Sequence, residues 1–263
     1  MQPIGPILLL LGLVPSAALA VEPATFSHED WGRVLARFVD DRGLVDYRGL
    51  AAAREPLDRY VAAIERTSPE TDEAVFPSRD HELAYYINAY NALVFHGVLA
   101  RGPEEDSVWT GGLISGQAFF VSMNVTVGGD ETNLRRLENE VIRERYADPR
   151  IHAALNCASL GCPRLPREVF APETLDAQLD AAMKDFVADP RNVRAIDSER
   201  VVELSKIFDW FGSDFVEYEK AHGNASPDVI DYVNRYRSAD ARIPDGYTAR
   251  FLPYDKRINK QPR

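Results

Sequence analysis

The run from Asp80 to Arg101 constrains this chain more than any other stretch. Its interior reads HELAYYINAYNALVFHGVLA and is apolar on nearly every face, so as a helix it belongs at the centre of a fold with other elements packed around it. Asn88 and Asn91 lie three apart on one side of it. A polar side chain there must find hydrogen bonds, because leaving it unpaired costs about 1–3 kcal/mol. A chain of 263 residues that is 45% apolar is long enough to close one large core around such a helix.

The flanking segments supply the cover. Trp31, Val34, Leu35, Phe38 and Val39 follow Ser27 at helical spacing, with Ser27 as the expected N-cap. Leu57, Tyr60, Val61 and Ile64 mark a second helix. Ala118–Ser122 and Asn124–Val127 read as paired strands, closed by the turn glycines Gly128 and Gly129. A helix carrying Leu134, Leu137, Val141 and Ile142 follows, and a short one is expected to begin at Pro149, a position where a first-turn proline is tolerated. Leu175 to Val187 is a further amphipathic helix. Val193–Ile196 and Val201–Leu204 form a second hairpin, helices follow near 206–219 and 226–237, and the chain ends in an extended basic tail from Tyr247. The sum is an α+β fold: one predominantly helical domain over residues 21–263, with a central buried helix and a small antiparallel sheet built from the two hairpins.

Residues 1–20 read as a cleaved secretory signal, with an apolar run from Ile4 to Val14 and a small-x-small end at Ala18-Leu19-Ala20. A periplasmic or secreted location is therefore expected, with no stable membrane insertion after cleavage, since no later run is apolar enough to span a bilayer. The net charge of −11 argues against nucleic acid as a partner, because an acidic surface repels the phosphate backbone.

The chemistry concentrates in Asp148–Pro163, which holds both cysteines, His152 and Asn156. Two readings stand side by side. In one, Cys157 is a thiolate nucleophile, His152 its base and Asn91 an orienting amide, as in thiol hydrolases and transferases. On one continuous helix, residues five apart are rotated by roughly 140°, so His152 and Cys157 share a site only if the helix ends before Cys157. A place at a helix C-terminus would also raise the pKa of Cys157. In the other reading, Cys157 and Cys162 form a disulfide across a turn at Gly161, a ring worth about 2 kcal/mol, and the domain only binds. Two inert thiols are a third outcome. The five histidines show no metal-ligand spacing, and nothing in the sequence calls for a metal or other cofactor.

Taken together, YYINAYNAL at 85–93, LENEVIR at 137–143, DPRIHAALNCASLGCPRL at 148–165, LSKIFDWFGSDF at 204–215 and FLPYDKRIN at 251–259 resemble domain-of-unknown-function family 547, found in bacteria and plants. The resemblance implies motif positions at Asn88, Asn91, His152, Asn156, Cys157, Cys162, Asp255 and Asn259, with no role attached to any. Lys256 departs from the aromatic usual after Tyr-Asp. The expected functional surface lies around His152 and Asn156 and the Asn88/Asn91 helix, with Asn88, Asn156 and Asp255 as binding residues. Its occupant would be a small molecule or peptide of the cell envelope, bound only or processed by Cys157.

Overall fold

In the computed structural model, which describes residues 25–110 and 118–262, every residue of the central helix from Leu83 to Phe95 is buried. This helix is α4 (Arg79–Arg101), capped by Ser78 and stopped at Gly102, whose φ of 120° only glycine adopts freely. Before it come α1 (Glu29–Phe38), α2 (Tyr47–Ala52) and α3 (Glu55–Arg66). His28, not Ser27, is the N-cap of α1, and Ser27 reaches only the Glu29 N–H. The short α2, capped by Asp46, had no periodicity to announce it.

After α4 the order departs from the expected pairing. Ala118–Ser122 is a helix, α5, and not a strand. Its Phe119 ring packs on Gly97 of α4, where a Cβ would stand 2.8 Å from Phe119 Cζ, so tertiary packing decides a run whose period was ambiguous. The true hairpin is β1 (Asn124–Val127) with β2 (Asp130–Asn133), around Gly128 and Gly129 at φ 59° and 88°. Two left-handed residues in a two-residue turn match the twist of the strands they join.

Three continuous helical pieces follow: α6 (Leu134–Arg136), a π-helix (Leu137–Arg143) and α7 (Glu144–Tyr146). A 3-10 turn at Pro149–Ala153, capped by Asp148, begins where the proline predicted. Then come α8 (Leu175–Ala188), the strands β3 (Val193–Ile196) and β4 (Val201–Leu204), α9 (Lys206–Trp210), α10 (Gly212–Ala221), α11 (Val229–Arg235) and β5 (Thr248–Phe251). The two hairpins do not share a sheet. β1 and β2 stand alone, while β5, from the tail, joins β4 in parallel to make a second sheet of order β3-β4-β5.

The fold is the expected α+β class, yet its buried side chains form two clusters and not one. The larger surrounds α4, and the smaller gathers Phe186, Val202, Phe208, Phe215, Tyr232 and their neighbours. α8 belongs to both, with Leu175 and Leu179 in the first and Met183, Phe186 and Val187 in the second. No helix among the described residues is long and apolar enough to cross a membrane. The signal expected at residues 1–20 lies outside the described residues.

Candidate functional site

The stretch from His152 to Pro163 is a loop pinned at many points. Its helical turn ends at Ala153, so Cys157 is not at a helix C-terminus as expected, and the 140° objection to a shared site falls away. Asn91 of α4 holds the loop with both ends of its amide, donating to Ala154 O at 3.0 Å and accepting from Asn156 N–H at 2.8 Å. Asn156 in turn donates to Pro163 O at 2.9 Å and accepts from Ala158 N–H and from Asn259 Nδ2. Asn259 Oδ1 receives the Tyr47 hydroxyl at 2.9 Å. Asn88 does the same work elsewhere, clasping both backbone groups of Phe170. These buried asparagines replace water as partners for backbone groups that would otherwise be orphaned; none of them lines the cavity described below.

The tail closes the loop from the other side. Gly161 N–H donates to Asp255 O at 2.9 Å and Leu160 N–H to Arg257 O at 2.8 Å. The Asp255 carboxylate pairs with Arg257, so this residue contributes its backbone here and not a charge. Gly161 lets the ring of Tyr254 lie against the loop, since a Cβ there would be 2.7 Å from Tyr254 Cε2. Lys256, the departure from the family pattern, sets its ammonium 5.2 Å from the Trp109 ring centre.

Cys157 and Cys162 are free thiols, not the expected disulfide. The Tyr254 hydroxyl touches both sulfurs, 2.9 Å from Cys157 Sγ and 3.0 Å from Cys162 Sγ. Cys162 Sγ also accepts the Cys157 N–H at 3.0 Å. Burial pushes the Cys157 thiol well above its ordinary range. Burial acts on Cys162 in the same sense, but the donors converging on its sulfur outweigh it and hold that thiol below its usual value.

His152 is 3% exposed and lies flat against Phe211, ring centres 4.0 Å apart. Its Nε2 is 2.8 Å from Asp214 Oδ2. A carboxylate only accepts, so Nε2 carries the proton and Nδ1 is left as the basic nitrogen. Burial lowers the pKa of His152 more than Asp214 raises it, which keeps the ring neutral near pH 7. Arg143 grips both oxygens of Asp214, at 2.9 and 2.8 Å, and burial of that carboxylate is outweighed by His152 and Arg143, leaving it far below the usual range.

The π-helix explains how Arg143 meets this cluster together with Glu138 and Asn139. Hydrogen bonds from i to i+5 widen the turn, so residues four and five apart sit above one another. Glu138 faces Tyr90 of α4, whose hydroxyl is 3.0 Å from its carboxylate. Burial raises the pKa of Glu138, and the Tyr90 hydrogen bond offsets only part of this.

Many of these groups, though not Asp214, border one cavity of about 300 Å³ at the seam of the two clusters. Cys157, Cys162, His152, Glu138 and Arg143 share it with aromatic walls formed by Trp109, Phe120, Trp210, Phe211 and Tyr254. Trp210 is 42% exposed, unusual for so large an apolar side chain. Sequence reasoning found the thiols and His152, but missed Glu138, Arg143, Asp214 and Tyr254. Each lies within a stretch that carries the family resemblance, and none has a spacing that points to the others. Among the described residues no cluster of three or more His, Cys, Asp or Glu side chains could hold a metal ion.

Comparison with known proteins finds no match among curated proteins and none among solved structures. Residues 76–187, which hold α4, the π-helix and the thiol loop, match the family model described as "Protein of unknown function, DUF547". Over this part, the chain is similar to that family, as the motifs of its sequence also indicate.

Proposed function

We propose that this is an exported domain whose aromatic cavity receives a small molecule, or the end of a peptide, of the cell envelope. One observation carries the reading: the reactive side chains of residues 138–162 meet Trp210, Phe211 and Tyr254, from far along the chain, on a single concave surface rich in aromatic side chains. Ligand sites have this character, apolar walls with a few fixed polar groups, and about 300 Å³ is the small end of their range. Export rests on the signal-like residues 1–20. Mature protein from the producing cell would begin at Val21.

The test is fluorescence titration with small envelope-derived peptides and amphiphiles. Trp109 and Trp210 line the cavity, so an occupant perturbs their emission. Leu155→Trp, which fills the cavity, abolishes the saturable change. Saturable binding that survives in Leu155→Trp excludes this surface.

A second reading, a thiol-dependent hydrolase or transferase with Cys157 as nucleophile and His152 as base, is favoured by the His152–Asp214 pair. That pair orients a neutral imidazole on the wall that also bears the thiols. The two readings separate by mutation. Cys157→Ser with Cys162→Ser leaves binding largely intact in the first, and Cys157→Ser alone abolishes turnover in the second.

A further inference from the structure

From the sharing of one phenol hydroxyl by two sulfurs, we infer that Cys162 and Cys157 act as an attacking and a resolving thiol toward a small disulfide in the cavity. The inference rests on the cavity being open to ligands. The available protons decide which sulfur holds a charge. The Tyr254 hydroxyl has one to give and touches both sulfurs, at 2.9 and 3.0 Å. Cys162 Sγ alone also receives a backbone N–H, that of Cys157 at 3.0 Å. A negative charge is therefore best held on Cys162, with Tyr254 O–H and Cys157 N–H both aimed at it. Cys157 keeps its proton and donates it in a hydrogen bond to the Tyr254 oxygen, whose own O–H points to Cys162. The result is a pair of thiols in which one is ready to attack and the other is held in reserve beside it.

Such a pair performs thiol–disulfide exchange. The Cys162 thiolate attacks one sulfur of a disulfide R–S–S–R; the substrate S–S bond breaks, a Cys162–S–S–R bond forms, and R–S⁻ leaves and takes a proton from solvent. Cys157 then loses its proton to solvent and attacks Cys162 Sγ, which releases the second R–S⁻ to take up a proton in turn. Two electrons have passed from the dithiol to the substrate, and the protein holds a Cys157–Cys162 disulfide. A second thiol reductant reverses the sequence. The aromatic walls favour a flat or apolar R group.

The experiment uses the full chain and 2,2′-dithiodipyridine, an aromatic disulfide whose released thiopyridone is followed by absorbance. The wild-type protein releases two thiopyridones and loses two hydrogens by intact mass. Cys157→Ser, and Cys157→Ala as a second variant, release one and retain a pyridylthio group mapped to Cys162. Cys162→Ser reacts at least about tenfold more slowly, because the remaining thiol has the Tyr254 hydroxyl but no backbone N–H aimed at its sulfur. Tyr254→Phe keeps the ring but lifts the midpoint of the rate against pH toward an ordinary cysteine, about 8.5, an effect that loss of packing alone would not produce. Two pyridylthio groups on the wild type without an internal disulfide, or an adduct on Cys157 that forms as fast in Cys162→Ser as in the wild type, overturns the inference. Exchange at the wild-type rate in Leu155→Trp sustains the dithiol chemistry while removing the cavity reading beneath it.

Discussion

Asn91 joins the central helix to the thiol loop, and replacing it measures how much that junction is worth. In Asn91→Ala the C=O of Ala154 and the N–H of Asn156 both lose their partner. Asn91 is 2% exposed and Ala154 and Asn156 are buried with it, so water does not replace the amide without opening the loop. Two orphaned buried groups at about 1–3 kcal/mol each make a loss of roughly 2–6 kcal/mol. Against a domain stability of about 5–15 kcal/mol that is a large fraction. Urea denaturation followed by far-UV circular dichroism reads it as a lower midpoint with an unchanged slope. Asn91→Asp is the control for geometry. It retains an acceptor for Asn156 N–H but sets a carboxylate against the Ala154 carbonyl, so at neutral pH it is no more stable than the alanine variant. A loss below about 0.5 kcal/mol in Asn91→Ala, the size of an ordinary surface substitution, would refute the claim that this amide fastens the loop.

Three further outcomes follow from the same structure. Stability falls in acid in two stages: His152, and His28 with its pKa lowered to about 4, are depressed by burial, so the unfolded chain takes up their protons first and the decline starts below about pH 6.5. Asp214, depressed by His152 and Arg143 against the opposing effect of burial, contributes stability above the ordinary carboxylate range and loses it as pH drops further; flat denaturation midpoints from pH 7 to 4 would contradict this. Glu138 has its pKa raised chiefly by burial, so it costs stability once pH exceeds the ordinary carboxylate range. Glu138→Gln, whose amide oxygen still accepts the Tyr90 hydroxyl, is then more stable than the wild type at pH 8, with the difference shrinking toward pH 4; a less stable variant at pH 8 counts against it. Ala147 ends α7 in the left-handed region at φ 52° and is exposed, so Ala147→Gly stabilises by about 0.5–1 kcal/mol, and a lower thermal midpoint would be the wrong sign.

What could be read from the sequence was what local pattern dictates. The α4 run had no polar face to offer solvent, and Pro149 and the Gly128-Gly129 pair fix backbone at single positions, so these features appear where expected. α5 was misread because five residues of mostly apolar sequence fit either period, and its helix is decided by α4 beneath it. The site was legible only in its densest segment. His152 and Asp214 are 62 residues apart, and Cys157 and Tyr254 are 97 apart, and no periodicity links pairs so distant. That Asn88 and Asn91 must find hydrogen bonds was legible from their place on an apolar helix, but that their partners are the backbones of Phe170, Ala154 and Asn156 was not. The pairing of the thiols was not readable at all. It involves the hydroxyl of a tyrosine from the tail, which touches both sulfurs, and the tail gives no local sign of that.

The widened turn at Leu137–Arg143 means that the chemistry of this site is written in chain length as well as in residue identity. A π turn accommodates one residue more than an α turn over the same rise. Removing a single residue from this segment would let it relax to an α-helix and swing Arg143 away from Asp214, while the apolar side chains on either side could regain their contacts. A scan of substitutions would pass over such a dependence, since no one side chain carries it. A scan of one-residue deletions would expose it, as a protein that still folds but whose cavity has lost its ordered wall of charge.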